Sequence, residues 1–174
     1  MQPGGIDADR SNNYLYAIGS DGQLYRTPFS DGIQKNIWEP CGTPNSLETV
    51  RTVTVTKNRV LITSNVNKIY QYSGTPNSFL HGSTPDVNLN SLIPINLSKE
   101  FTHSCSGSQT NLVMVQTPHK MYAMTFLQTG AFTFEEVGTN HHNPFYHIPA
   151  VLQNPTCPKV FAVSNHGEVV EFYA

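Results

Sequence analysis

The residue types best suited to chemistry gather in one short stretch, Asn140-His141-His142-Asn143, with His147 a few residues on. Imidazoles ligate zinc and copper. Adjacent residues of an extended chain face opposite sides, however, so His141 and His142 converge on one ion only if the turn at Asn143-Pro144 redirects them. A solvated loop of exposed imidazoles is the simpler reading, and no metal or other cofactor is assigned. Glu135-Glu136 is the one adjacent carboxylate pair in the sequence; on a strand its members diverge in the same way, which reads as a solvated edge rather than acid–base machinery. Gly-x-Ser-x-Gly, His-Glu-x-x-His, Gly-x-Gly-x-x-Gly and Gly-x-x-x-x-Gly-Lys are all absent, and with them the local signatures of hydrolases, zinc proteases and nucleotide sites. No catalytic residue is assigned, and the chain reads as a binding protein rather than an enzyme.

Binding candidates come from what recurs. Tyr25, Tyr70 and Tyr122 follow an aliphatic residue in three similar segments. They could form an aromatic platform for a sugar or peptide; the favoured role is packing between repeats with the hydroxyl at the rim. His119 and His166 occupy equivalent turn tips, alongside Asp21 and Asn67 in the corresponding earlier turns. Turn tips that share one rim are where binding loops collect.

The elements that position these residues are strands. Four segments pair a short apolar run with a second run across a tight polar turn: Tyr14 to Ile18 with Leu24-Tyr25, Val60 to Thr63 with Ile69-Tyr70, Leu112 to Val115 with Met121-Tyr122, and Val160 to Val163 with Val169-Val170. The intervening turns, such as Ser20-Asp21-Gly22 and Asn165-His166-Gly167, suit tight backbone geometry. The second runs start at Leu24, Ile69, Met121 and Val169, spacings of 45, 52 and 48 residues, near the period of a propeller blade. Extended stretches precede three of the hairpins: Thr49 to Thr56, Phe101 to Ser106 and Phe145 to Leu152. The first of these alternates Val53 and Val55 with threonines, as a half-buried strand does. With 12 Pro and 12 Gly and no sustained 3.6-residue periodicity, helix has no place. The pentapeptide Gly-Thr-Pro-Asn-Ser occurs at residues 42–46 and again at 74–78, out of phase with the repeat, and reads as shared turn chemistry.

Composition limits the partners. Only 13% of the 174 residues are charged and the net charge is −2; Lys57, Arg59 and Lys68 make a loose cluster. The field that draws in a phosphate backbone is missing, so nucleic acid is not expected. No apolar run is long enough to span a bilayer, and the opening Met1-Gln2-Pro3-Gly4-Gly5 lacks the basic and apolar parts of a secretory signal. The expectation is a cytoplasmic protein. Cys41, Cys105 and Cys157 form neither a disulfide framework nor a zinc pair and are read as reduced thiols; the sequon Asn96-Leu97-Ser98 carries no weight without secretion.

The third repeat, from Phe101-Thr102-His103-Ser104-Cys105-Ser106-Gly107-Ser108 through Asn111 to Val115 to Met121-Tyr122-Ala123-Met124, resembles the repeat of the regulator of chromosome condensation family. Asp21-Gly22-Gln23-Leu24-Tyr25 is similar to that repeat's turn and second run, and Tyr70-Gln71-Tyr72-Ser73-Gly74 to its end, with Tyr72 where tryptophan is usual. Ser91-Leu92-Ile93-Pro94-Ile95 resembles its lead-in. The sole tryptophan, Trp38, lies elsewhere, Ser106 displaces the glycine after Cys105, and Val170 replaces tyrosine in the fourth repeat. The resemblance implies a propeller scaffold used for interaction; founding members of the family act on a small GTPase, and no exchange residue is matched here. Leu15 to Arg26 followed by Trp38 is similar to tectonin and tachylectin propellers, which implies sugar binding.

The expected fold is therefore an all-β propeller of about four repeats in one domain over residues 1–174. The first repeat reads as beginning with its hairpin at Tyr14 and the last as stopping inside a strand. A partial propeller, completed by further chain or by self-association with a second copy, is favoured over a closed four-bladed ring in which Asp7 to Arg10 pairs beside the final strand. The leading function is a non-catalytic scaffold presenting polar loops to a protein partner; the alternatives are a carbohydrate-binding propeller and, by family analogy alone, a nucleotide exchange factor.

Overall fold

The computed structural model of the chain describes residues 5–9, 12–28, 37–56, 59–66, 68–81, 103–106, 112–116, 121–126, 132–137, 150–152, 159–163 and 167–173. All the regular elements among them are strands, arranged as four antiparallel meanders. The first sheet runs β1 (Ile6–Asp9), β2 (Tyr14–Ile18), β3 (Leu24–Pro28) and β4 (Glu39–Gly42) in spatial order. The second runs β5 (Val50–Val55), β6 (Val60–Ser64), β7 (Ile69–Tyr72) and β8 (Phe79–His81), and the third β9 (His103–Ser106), β10 (Leu112–Gln116), β11 (Met121–Phe126) and β12 (Phe132–Val137). The fourth is three-stranded among the described residues: β13 (Ala150–Leu152), β14 (Lys159–Val163) and β15 (Val169–Tyr173).

The predicted hairpins are the β2–β3, β6–β7, β10–β11 and β14–β15 pairs, and the stretches preceding three of them contain β5, β9 and β13. Two expectations are corrected. The first repeat does have a leading strand, since β1 pairs with β2 in the register Ile6↔Ala17 to Asp9↔Tyr14; Asp7 to Asp9 therefore belong to the first sheet and do not pair beside the final strand. The aspartates of Ile6-Asp7-Ala8-Asp9 hide this strand from propensity reasoning. They act as acceptors: Asp7 takes the N–H of Val55 at 2.7 Å and that of Ala8 at 2.8 Å, and Asp9 holds the backbone and side-chain amides of Asn12. The second correction is that β5 is buried on both faces. Thr52 is 0% exposed and Thr54 1%, and the Thr52 hydroxyl meets that of Thr63 on β6 at 2.5 Å.

Burial of β5 on both faces follows from how the sheets stack. Successive first strands touch: β1 packs on β5, β5 on β9 and β9 on β13. One core fills the seam between the first two sheets, built from Tyr16, Leu24 and Cys41 on one side and Val53, Val55, Ile62 and Tyr72 on the other. Two backbone links cross this seam, Val50 N–H to the Gly22 carbonyl at 2.8 Å and Asn77 N–H to the Cys41 carbonyl at 2.8 Å. The second brings the two Gly-Thr-Pro-Asn-Ser copies together, although one leads from sheet to sheet and the other is the β7–β8 turn.

Candidate functional site

The meander topology sorts the connections onto two rims. One rim carries the starts of β1, β5, β9 and β13 together with every turn between a second and third strand. Of the sequence-derived turn candidates the structure describes Asp21, in the β2–β3 turn on this rim. Its carboxylate is committed to its own turn, accepting from the Tyr25 hydroxyl at 2.7 Å, the Gln23 N–H at 3.1 Å and the Gln23 side-chain amide at 3.0 Å. The Tyr25 bond, followed by the Gln23 amide, holds Asp21 below the usual carboxylate range, and the same bond raises the Tyr25 phenol. Asn67, His119 and His166 lie outside the described residues, as do the Asn140 to His147 loop and Cys157.

Tyr70 and Tyr122 point inward. Tyr70 is 3% exposed and Tyr122 4%; the ring of Tyr122 stacks on Phe134 at 5.2 Å between centroids. Glu135 and Glu136 are exposed on β12, and being neighbours on one strand they project to opposite sides. Among the described residues no three His, Cys, Asp or Glu side chains come together as a metal site, and no helix is long and apolar enough to cross a membrane.

What the rim does contain is a cleft of about 810 Å³ between the β2–β3 turn and the start of the second sheet. Asp21, Gly22, Thr49, Arg51 and Asn65 line it. Its backbone is held on both sides, with Asn65 N–H on the Thr49 carbonyl at 3.0 Å and Thr49 N–H on the Asn65 side chain at 3.0 Å. Gly22, at φ +76°, has Thr49 directly against it and no space for a side chain.

The loop entering β5 is the most tightly built part of this rim. Asn45 accepts the Leu47 N–H on its side chain at 2.9 Å, and its own carbonyl takes the Thr43 hydroxyl at 2.9 Å. Glu48 is 8% exposed, and its carboxylate receives the Tyr70 hydroxyl at 3.1 and 3.2 Å with Lys68 at 3.5 Å. Burial alone would raise this carboxyl; hydrogen bonds from Asn45, Ser64 and Tyr70 and the Lys68 charge outweigh burial and keep it below its ordinary value. Between Asn45 and Glu48, Leu47 is 88% exposed. Val66, in the β6–β7 turn, and Val169, at the start of β15, are also exposed on this rim. Sequence reasoning passed over Leu47 because a single leucine in a turn carries no periodic signal.

Tyr70→Phe should lower stability by about 1–2 kcal/mol, because a buried carboxylate loses a donor. A melting curve within error of the parent would show that Lys68 and Asn45 suffice to hold Glu48.

No family model matches the chain, and no curated protein is similar to it at a significant level. Solved structures do match. The computationally designed Ika4 protein superposes with a TM-score of 0.56 at 14% identity, over 99% of this chain and 93% of that one. The WD40 domain of SCAP from fission yeast gives 0.52 at 12% identity, over 97% of this chain and 38% of that one. A Lactobacillus plantarum protein gives 0.52 at 14% identity, covering 97% and 56%. WD40 repeats build the four-stranded blades of propellers, as the meanders stacked on their first strands do here. The fold is a β-propeller. Each sheet is a blade, and the chain spans nearly all of the designed protein but little more than a third and a half of the two natural ones. At these identities the likeness shows the fold and nothing finer.

Proposed function

We propose that this propeller is a non-catalytic interaction scaffold whose docking face is the rim bearing the blade starts. The observation that carries the reading is Leu47, 88% exposed at the tip of a loop anchored by the buried Glu48. A flexible loop could fold such a side chain away. This one is pinned by Asn45 on one side and by the Tyr70–Glu48 bond on the other, so the apolar surface is presented at no further cost in loop ordering, which favours association. The cleft beside it offers Asp21 and Arg51, of opposite charge, and the Asn65 amide as a polar border, the usual arrangement of an apolar anchor with a polar rim. A protein partner fits such an open, mixed surface. The exchange activity implied by the resemblance to the regulator of chromosome condensation family has no matched residue in its support.

The test is quantitative capture from the source cell with the parent chain, Leu47→Asp, Val66→Asp and, as a remote control, Leu80→Asp on the outer strand β8. A protein retained in stoichiometric amount by the parent and the control, and lost roughly tenfold or more by Leu47→Asp, is the expected result. Identical recovery by all four chains would remove this rim from consideration.

A further inference from the structure

Positions that are buried at the seam between blades recur, uncovered, on the first and fourth blades. Side chains alternate between the two faces of a strand, so the registers assign each one to a seam. On the second blade Val53 pairs with Ile62, and Ile62 with Tyr70. This row faces the first blade, lies in the core of that seam, and is 2%, 1% and 3% exposed. On the first blade the corresponding row is Ile6, Ala17 and Tyr25, paired in the same order. It faces away from the second blade, since Asp7, Tyr16 and Leu24 on the other face are the residues that meet it. The apolar character of the row is kept, yet Ile6 is 44% exposed and Ala17 and Tyr25 are partly exposed.

The fourth blade carries the opposite half. Leu24 and Ile69 each begin the third strand of a meander, face the following blade, and are 0% and 1% exposed. Val169 holds that position on the fourth blade and is 70% exposed. The turn before it shows the same contrast. Gly22, two residues before Leu24, has Thr49 against it and gives its carbonyl to the Val50 N–H across the seam. Gly167, two residues before Val169 and with a φ of +80° close to the +76° of Gly22, has nothing within 4 Å of a Cβ position among the described residues. Nor, among those residues, does β13 pack on β1 as β1 packs on β5, β5 on β9 and β9 on β13. The two uncovered faces therefore do not cover each other within one chain.

We propose that a second copy of this chain covers both, the fourth blade of each copy stacking on the first blade of the other. Each copy brings both halves of a seam, and they are the halves already joined between the first two blades: an aliphatic residue in the place of Leu24 against a row in the place of Val53, Ile62 and Tyr70. Burial of apolar area drives the contact. A head-to-tail contact that failed to close would propagate into a filament; two copies in one ring leave neither face open. The proposal is independent of the scaffold reading, which concerns a rim and not a blade face.

The test is sedimentation equilibrium of the full chain across the micromolar range. The expected species is a dimer, twice the 19.3 kDa of one chain. Ile6→Lys and Val169→Glu each replace an exposed side chain, so circular dichroism should show the parent fold in both. Each substitution enters both seams at once and should weaken association roughly a hundredfold or more, since a charge is left in an apolar contact. An equimolar mixture of the two variants should return to the dimer, because one of its two seams then joins unaltered faces and the other sets Lys against Glu. A parent chain that is monomeric throughout, a ladder of higher oligomers, or a dimer that either substitution leaves intact would overturn the proposal.

Discussion

Gly42→Ala should lower the melting temperature by roughly 6–12 °C, the shift expected for about 3 kcal/mol in a domain of this size. Two costs combine. Gly42 sits at φ +89°, well outside the region a residue with a Cβ occupies easily, and such a conformation costs on the order of 1–3 kcal/mol. A Cβ at this position would also run into the side chain of Asn77, in the turn that closes the seam between the first two blades. Overpacking of that kind adds about 1–3 kcal/mol. Asn77 itself has φ +59°, so Asn77→Gly removes the obstructing side chain and suits the backbone. The double variant Gly42→Ala/Asn77→Gly should recover the packing share of the loss and keep the conformational share. A single Gly42→Ala chain melting within a degree or two of the parent would mean that this junction is softer than its geometry.

The second large effect is on pH dependence. Asp7, on the innermost strand, has its carboxyl raised from 3.8 to about 6, chiefly by burial; the Val55 and Ala8 amides oppose the shift and the nearby charge of Asp9 adds to it. A carboxyl raised on folding stabilises the folded chain fully below its unfolded value near 4, and that contribution disappears as pH rises through about 6. By pH 7 the loss is on the order of 2–3 kcal/mol. Asp7→Asn keeps an acceptor for the Val55 N–H and cannot ionise. Its stability should therefore exceed the parent's at pH 7 and show a flatter profile between pH 4 and 7. The measurement is denaturant unfolding of both chains at intervals of half a pH unit, taking the difference so that other carboxyls, Glu48 among them, cancel. Parallel profiles would show that Asp7 titrates as an ordinary surface carboxyl.

Much of the fold was legible because it rests on local pattern. The apolar runs at Tyr14 to Ile18 and Val60 to Thr63, each closed by a turn with Gly or Asn, specify hairpins whichever neighbours they acquire. The spacing of Leu24, Ile69, Met121 and Val169 follows from one meander per repeat. The outer strands were not legible: β4 is Glu39-Pro40-Cys41-Gly42, and β8 is three residues long. Each adds to an existing edge, so pairing supplies what propensity lacks.

The sequence by itself determined the all-β class, the hairpins, the number of repeats and the absence of recognised catalytic motifs, because each depends on residues close together in the chain. Tertiary structure decided everything that depends on which blade faces which. It made Ile6-Asp7-Ala8-Asp9 a strand, since Val55, nearly fifty residues away, donates to Asp7. It buried both faces of β5, set the hydroxyl of the buried Tyr70 on the Glu48 carboxylate, and left Leu47 bare beside it. It also placed Arg26 and Arg59 on one cleft. No short-range pattern encodes such pairings, because in a propeller the local meander sets each blade while the seams between blades bring together side chains a whole repeat apart.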